Sequence, residues 1–218
     1  TFAVPYAVVN DFTFLHGQPE TERRAGLVEA VKVALVKDAG FFHWIEDNAE
    51  QLAELKTHVL EEVVERSALL HASHIAYGGD PFETGNSRPL DFGHWAAHKM
   101  EQLTDFELSH ADAVGVGLAL DTVYSWKTGR LDENSAMRVI KVLHKLKLNT
   151  WHPSLDLKTP EGERSVFVGL EEFREHLGGE LTVLLLKDIG KGEDVHTMDT
   201  NLLDECIEWL EVFSTVKK

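Results

Sequence analysis

Apolar residues recur every three to four positions through most of this 218-residue chain, and that period admits little besides packed helices. From Arg24 to Lys37 the stripe is Leu27, Val28, Val31, Ala34 and Leu35. It follows Pro19–Glu22, where a proline and acids suit a first helical turn. Phe41–Leu55 reads as a second helix. Thr57–Tyr77 reads as a third, with Leu60, Val63, Val64, Ala68 and His71 along one side. Ala113–Tyr124 is a small-residue apolar helix whose Gly115 and Gly117 permit close packing, and Asp132–Leu146 is an amphipathic helix capped by Asp132. Val166–His176 and Asn201–Phe213 complete the helical set. Phe41, Phe42, Trp44 and Trp95 sit on these stripes and read as core.

Strand signals are few. Tyr6–Val9 is a short β-type run. Leu181–Leu186 is the best strand, entered from Gly178-Gly179 and expected to pair with Tyr6–Val9 or Val195–Met198. No repeat, low-complexity tract or Pro/Gly/Ser linker divides the chain. The pattern predicts one mainly α domain over residues 1–218, multi-helical with a few short edge strands, and no doubly wound parallel sheet.

Charge narrows the partners. A net charge of -16 and a pI near 5.1 argue against nucleic acid, which recruits clustered Lys and Arg. No apolar run approaches the ~20 residues of a membrane helix, so no membrane partner is expected. The single cysteine, Cys206, excludes an internal disulfide, suits a cytoplasmic setting, and reads as a buried small hydrophobe. The opening TFAVPYAVV begins inside a strand-like run without an initiator Met, and reads as a strand severed from a preceding domain.

The window Pro89–Asp112 holds the chemistry. Its histidines His94 and His98 are four apart and share one helical face, Glu101 extends that face, and His110 follows a polar linker. Two imidazoles at that spacing, a third nearby and a carboxylate are the supply a divalent metal site needs. With 12 histidines in the chain, ordinary surface and capping roles are the alternative. Glu29 and Lys32, three apart on the first long helix, read on their own as a solvated ion pair. The segment Gly78–Arg88, GGDPFETGNSR, is a loop leading into the histidine helix.

Three ordered stretches resemble the C-terminal domain of 3-dehydroquinate synthase and the other sugar phosphate cyclases. RAGLVEAVKVALVKDAGFFHWIE is similar to the family's first motif, RPLDFGHWAAHKME to its second, and LSHADAVGVGLALD to its third. The resemblance implies Glu29, His94 and His110 as metal ligands, zinc being expected and cobalt the alternative. It implies that Lys32 and His98 contact substrate hydroxyls or relay protons. Arg88 resembles the family's substrate arginine, one residue closer to the metal histidine here. Asp91 stands where the family has asparagine, and His71 lies in the helix where the synthases carry a substrate-binding lysine. EEFREH, with Arg174, stands where they carry a late lysine pair.

In the family, hydride leaves a metal-bound alcohol for NAD, phosphate is eliminated, hydride returns, and an aldol step closes a carbocycle. The resemblance therefore implies a sugar phosphate substrate, an NAD supplied by a preceding nucleotide-binding domain, and a homodimer. This chain carries no G-x-G-x-x-G after a strand. The missing lysines point away from a carboxylate-bearing substrate. The alternatives are a metal-dependent polyol or alcohol dehydrogenase of the iron-type group, which stops at hydride transfer, and a non-catalytic domain that retains the fold.

Overall fold

A computed structural model describes residues 6–7, 9–77, 91–176 and 179–216. The elements in chain order are α1 (Thr13–Gly17), α2 (Glu20–Lys37), α3 (Ala39–Asp47), α4 (Ala49–Ala53), α5 (Thr57–Tyr77), α6 (His94–Leu103), α7 (His110–Lys127), α8 (Glu133–Lys145), two 3-10 turns (Pro153–Asp156 and Ser165–Phe167), α9 (Val168–His176), β1 (Val183–Asp188), β2 (Lys191–Val195) and α10 (Thr200–Val216). The mainly α expectation holds. Among the described residues no helix is long and apolar enough to cross a membrane.

Two buried helices organise the rest. α2 opens on Pro19 with Glu20 and Glu22 in its first turn and ends on Lys37, which matches the charge preference at each end. The predicted stripe is buried, and Ala30, Val33 and Val36 are buried with it, so α2 is enclosed on more than one side. In α7 every residue from Ala113 to Ser125 is buried. From Ala113 to Gly117 its side chains are small or β-branched, which lets neighbours approach. A Cβ on Gly117 would stand 1.9 Å from the Gly93 carbonyl oxygen, and one on Gly115 2.6 Å from that of Asn149. Phe42, Phe92 and Trp95 are fully enclosed, and Trp44 packs against the core from its edge.

Several boundaries differ from the sequence expectation, each for a local reason. Phe41–Leu55 is not one helix: Asn48 separates α3 from α4, its side-chain amide donating to the Trp44 carbonyl at 2.9 Å, and Leu55 takes φ +54 beyond. α7 begins three residues before Ala113, because Ser109 Oγ accepts from the Asp112 amide at 3.2 Å and caps the helix there. The strand partner is also corrected. β1 pairs antiparallel with β2, from Val183↔Val195 to Asp188↔Lys191, so of Val195–Met198 only Val195 takes part. Tyr6 and Val9 are exposed and in no strand, and Val8 lies outside the described residues. A local hairpin wins over a distant partner because Gly190, at φ +83, supplies the positive dihedral that a two-residue turn requires. The Gly190 amide donates to Leu35 O at 2.7 Å and the Leu186 amide to Ser125 Oγ at 3.0 Å, which docks the hairpin on α2 and α7. Gly78–Arg88 and Gly178 lie outside the described residues.

Candidate metal centre

His94 is the first residue of α6, reached through Gly93 at φ +78. That turn is held from α7. Asp121, fully buried, accepts from the Gly93 amide at 3.0 Å and from the Trp95 indole N–H at 2.8 Å. Burial pushes the Asp121 carboxyl up to about 7, and the two N–H donations pull the other way. His94 is itself buried, with Nδ1 3.0 Å from the Phe92 carbonyl oxygen. A carbonyl only accepts, so Nδ1 carries the hydrogen and Nε2 keeps its lone pair. Burial, and after it the Lys32 charge, pushes the His94 pKa down to about 4. Its imidazole is therefore neutral near pH 7, the form that binds a metal.

Glu29 and Lys32 come from α2, and here the solvated-pair expectation is overturned. Lys32 is 4% exposed, with Nζ 2.5 Å from Glu29 Oε2 and 3.4 Å from His94 Nε2. The i,i+3 spacing is as expected, but the lysine faces inward to the histidine. Glu29 Oε1 is buried and has no hydrogen-bond partner among the described residues. An unsatisfied buried carboxylate oxygen is unfavourable by roughly 1–3 kcal/mol, and a cation removes that penalty.

His110 opens α7, fixed by the Ser109 cap. Its Nδ1 lies 3.2 Å from Glu101 Oε1, so Nδ1 donates to the carboxylate and Nε2 faces away with a lone pair, the arrangement in which a second carboxylate orients a metal-bound imidazole. His94 and His110 rings are 5.4 Å apart between centroids, His94 and His98 5.5 Å, and His98 and His110 6.0 Å. Ligand atoms of Glu29, His94 and His110 all lie within 4.8 Å of one another. Atoms bonded to one zinc at ~2.1 Å stand at most ~4.2 Å apart, so small rotamer adjustments suffice. One carboxylate and two imidazoles suit zinc or cobalt and leave coordination positions open.

Residues 26–162 match the 3-dehydroquinate synthase C-terminal family. The chain belongs to that family. It is 32% identical over 190 residues to the 3-dehydroquinate synthase of Halorhodospira halophila, across 87% of this chain and 51% of that protein. To the Shewanella frigidimarina 3-dehydroquinate synthase it is 28% identical over 214 residues, across 94% of this chain and 56% of that protein. The chain thus spans about half the length of the curated relatives it matches. Among solved structures, ValA of Streptomyces hygroscopicus, a 2-epi-5-epi-valiolone synthase with NAD+ and Zn2+ bound, superposes with a TM-score of 0.81 at 28% identity, over 92% of this chain and 54% of that one. A 2-deoxy-scyllo-inosose synthase with carbaglucose-6-phosphate, NAD+ and Co2+ superposes at 0.69 with 18% identity over 91% of this chain and 55% of that one, a likeness of fold.

For a member of the 3-dehydroquinate synthase family, the expected site residues are placed as follows. Glu29, His94 and His110 converge, Lys32 touches two of them, and His98 stands beside the cluster on the exposed side of α6. Glu29 and His110 line a cleft of about 840 Å³ with Arg24 and Lys147 on its walls. Asp91, half-buried, lines a second cavity of about 300 Å³ with His98 and Glu101. His71 is on an exposed turn of α5 and borders an apolar groove whose other wall includes Glu29. Arg88 lies outside the described residues. Asp121 is the residue that sequence reasoning missed. Its signal was present: a lone carboxylate inside AVGVGLALDTVY needs a buried partner.

Proposed function

We propose that this chain is the metal- and substrate-binding half of an NAD-dependent sugar phosphate cyclase, with Glu29, His94 and His110 holding a zinc ion. The carrying observation is the convergence of those three side chains, with both imidazoles held so that Nε2 carries the lone pair a metal would take. A divalent ion bound there supplies Lewis acidity to a substrate hydroxyl. The rest falls to the chain. Lys32 Nζ, held at the cluster by Glu29, donates to a substrate oxygen. His98, one helical turn from His94, moves a proton, as an imidazole does near neutral pH. Asp121 keeps Gly93 and Trp95 in place so that the His94 ring does not drift. NAD belongs, in this reading, with the half of the relatives that this chain does not cover, and the assembled protein is a homodimer.

For the substrate we favour a heptulose phosphate without a carboxylate. The stretch LLHASHIAYGGD carries no lysine, and Arg174, the cation within EEFREH, is engaged by Glu171. The likeness to ValA, a 2-epi-5-epi-valiolone synthase with NAD+ and Zn2+ bound, supports the choice of zinc and NAD. The test is to assay the full-length protein with NAD and zinc against heptulose and heptulosonate phosphates and to follow released phosphate. NAD-dependent release from a heptulose phosphate is expected. NADH accumulation without phosphate release would replace the cyclase with a dehydrogenase, and a protein that holds no stoichiometric zinc would be a retained scaffold.

A further inference from the structure

We propose that His98, Glu101 and His110 form a second, outer seat for a divalent ion, and that an incoming ion is captured there before it reaches Glu29 and His94. The capture step rests on the reading of Glu29, His94 and His110 as the resident site. The outer donor set repeats the inner chemistry, two imidazoles and one carboxylate, with ligand atoms all within 4.8 Å of one another. His98 and Glu101 are three apart on α6 and so project from one face, while His110 reaches them from the first turn of α7. Glu101 Oε1 stands 3.2 Å from His110 Nδ1, so an outer ion takes Nδ1 as its ligand and the ring hydrogen moves through solvent to Nε2.

The two seats differ in access. His98 is exposed and the His110 side chain is 50% exposed, whereas His94 is 8% exposed. A hydrated dication approaching His94 directly also meets the Lys32 ammonium, 3.4 Å from Nε2. The lysine that lines the outer cavity, Lys99, is engaged by Glu172 at 2.5 Å and by Gln102 at 3.1 Å, and the chain's net charge of -16 draws cations to the surface. His110 is common to both sets, and its ring lies 5.4 Å from that of His94 and 6.0 Å from that of His98. An ion can therefore pass from His98 and Glu101 to His94 and Glu29 across the one His110 ring, held at Nδ1 outside and at Nε2 inside. Carboxylate and imidazole ligands exchange one at a time in this path, and the only other bonds that change are the N–H bonds of His110, whose ring hydrogen returns through solvent from Nε2 to Nδ1 as the ion moves inward.

The test uses zinc and the metal-stripped full-length protein. Glu29→Gln removes an inner ligand while leaving an amide oxygen that accepts from Lys32 Nζ, and thermal unfolding checks that the variant keeps the fold. The variant is expected to keep one zinc per chain, released to a chelator at least about ten-fold faster than from the wild type, and the double variant Glu29→Gln/Glu101→Gln should bind none. Cobalt absorption of the single variant should show imidazole ligation. In stopped-flow mixing, His98→Asn should load zinc at least about ten-fold more slowly while reaching wild-type occupancy. The outer seat is overturned if Glu29→Gln binds no zinc, if the double variant binds it as well as the single one, or if His98→Asn loads at the wild-type rate. A different pattern separates the two readings: zinc binding untouched by Glu29→Gln but abolished by Glu101→Gln would overturn the resident site and keep the outer seat.

Discussion

Asp121→Asn should change how stability depends on pH. The carboxyl is fully buried between α6 and α7 and receives two N–H groups, from Gly93 and Trp95. Burial raises its pKa from 3.8 to about 7. In the unfolded chain it ionises near 3.8, so between these values the native state binds more protons and stability falls as pH rises. Below 3.8 nothing is lost, and above about 7 the loss is complete. At about 1.4 kcal/mol per pKa unit the loss is at most ~4 kcal/mol. Asparagine abolishes this titration but turns one N–H acceptor into a donor, leaving either Gly93 N or Trp95 Nε1 unsatisfied at roughly 1–3 kcal/mol with little pH dependence. The variant should therefore be less stable than the wild type by about 1–3 kcal/mol near pH 4, and more stable by a similar amount near pH 8. His94, with its pKa pushed down to about 4, titrates in the same range with the opposite sign, losing stability as pH falls from 6.5. It is present in both proteins and cancels in the difference. Urea unfolding of both proteins across that pH range measures the gap. A gap that stays constant with pH would refute the reasoning, because it would mean that the two N–H donors fully offset burial.

Three further outcomes are expected. Gly117→Ala places a Cβ 1.9 Å from the Gly93 carbonyl oxygen, so α6 must shift; we expect a loss of about 3 kcal/mol and weaker zinc binding, read by thermal unfolding and zinc titration, and wild-type values in both would show that the close approach is unimportant. His98→Asn should leave equilibrium metal content unchanged and lower turnover, and unchanged turnover would remove His98 from the chemistry. The 218-residue chain alone should show no measurable NAD affinity in titration calorimetry, while the full-length protein binds it; tight binding by the chain would show that the cofactor site has been misplaced.

Much of the fold could be read locally. The α2, α5 and α8 stripes are periodic over several turns, and their caps, the first turn after Pro19 and the Asp132 side chain that accepts from the Ser135 amide, are nearest-neighbour effects. What misled was also local but finer: one side-chain amide at Asn48 divides a helix, and one hydroxyl at Ser109 moves a helix start to His110. The ligand trio is a mixed case. The i,i+4 spacing puts His94 and His98 on one face, but nothing in spacing brings Glu29 to them; only the resemblance to a family did.

The amino-acid sequence by itself determined the helical class and the placing of His94 and His98 on one helical face, because each depends on residues within a few turns of one another. Tertiary packing decided the rest. It turned Lys32 inward, 62 positions from the histidine it meets, so that an ion pair expected in water became a buried charge beside His94 Nε2. It buried Asp121 against Gly93 and so set the angle at which the histidine helix leaves its turn. Both outcomes depend on which faces of α2, α6 and α7 are enclosed. Burial is a property of the assembled helices, since the same lysine and the same aspartate on isolated helices would each be hydrated and ordinary.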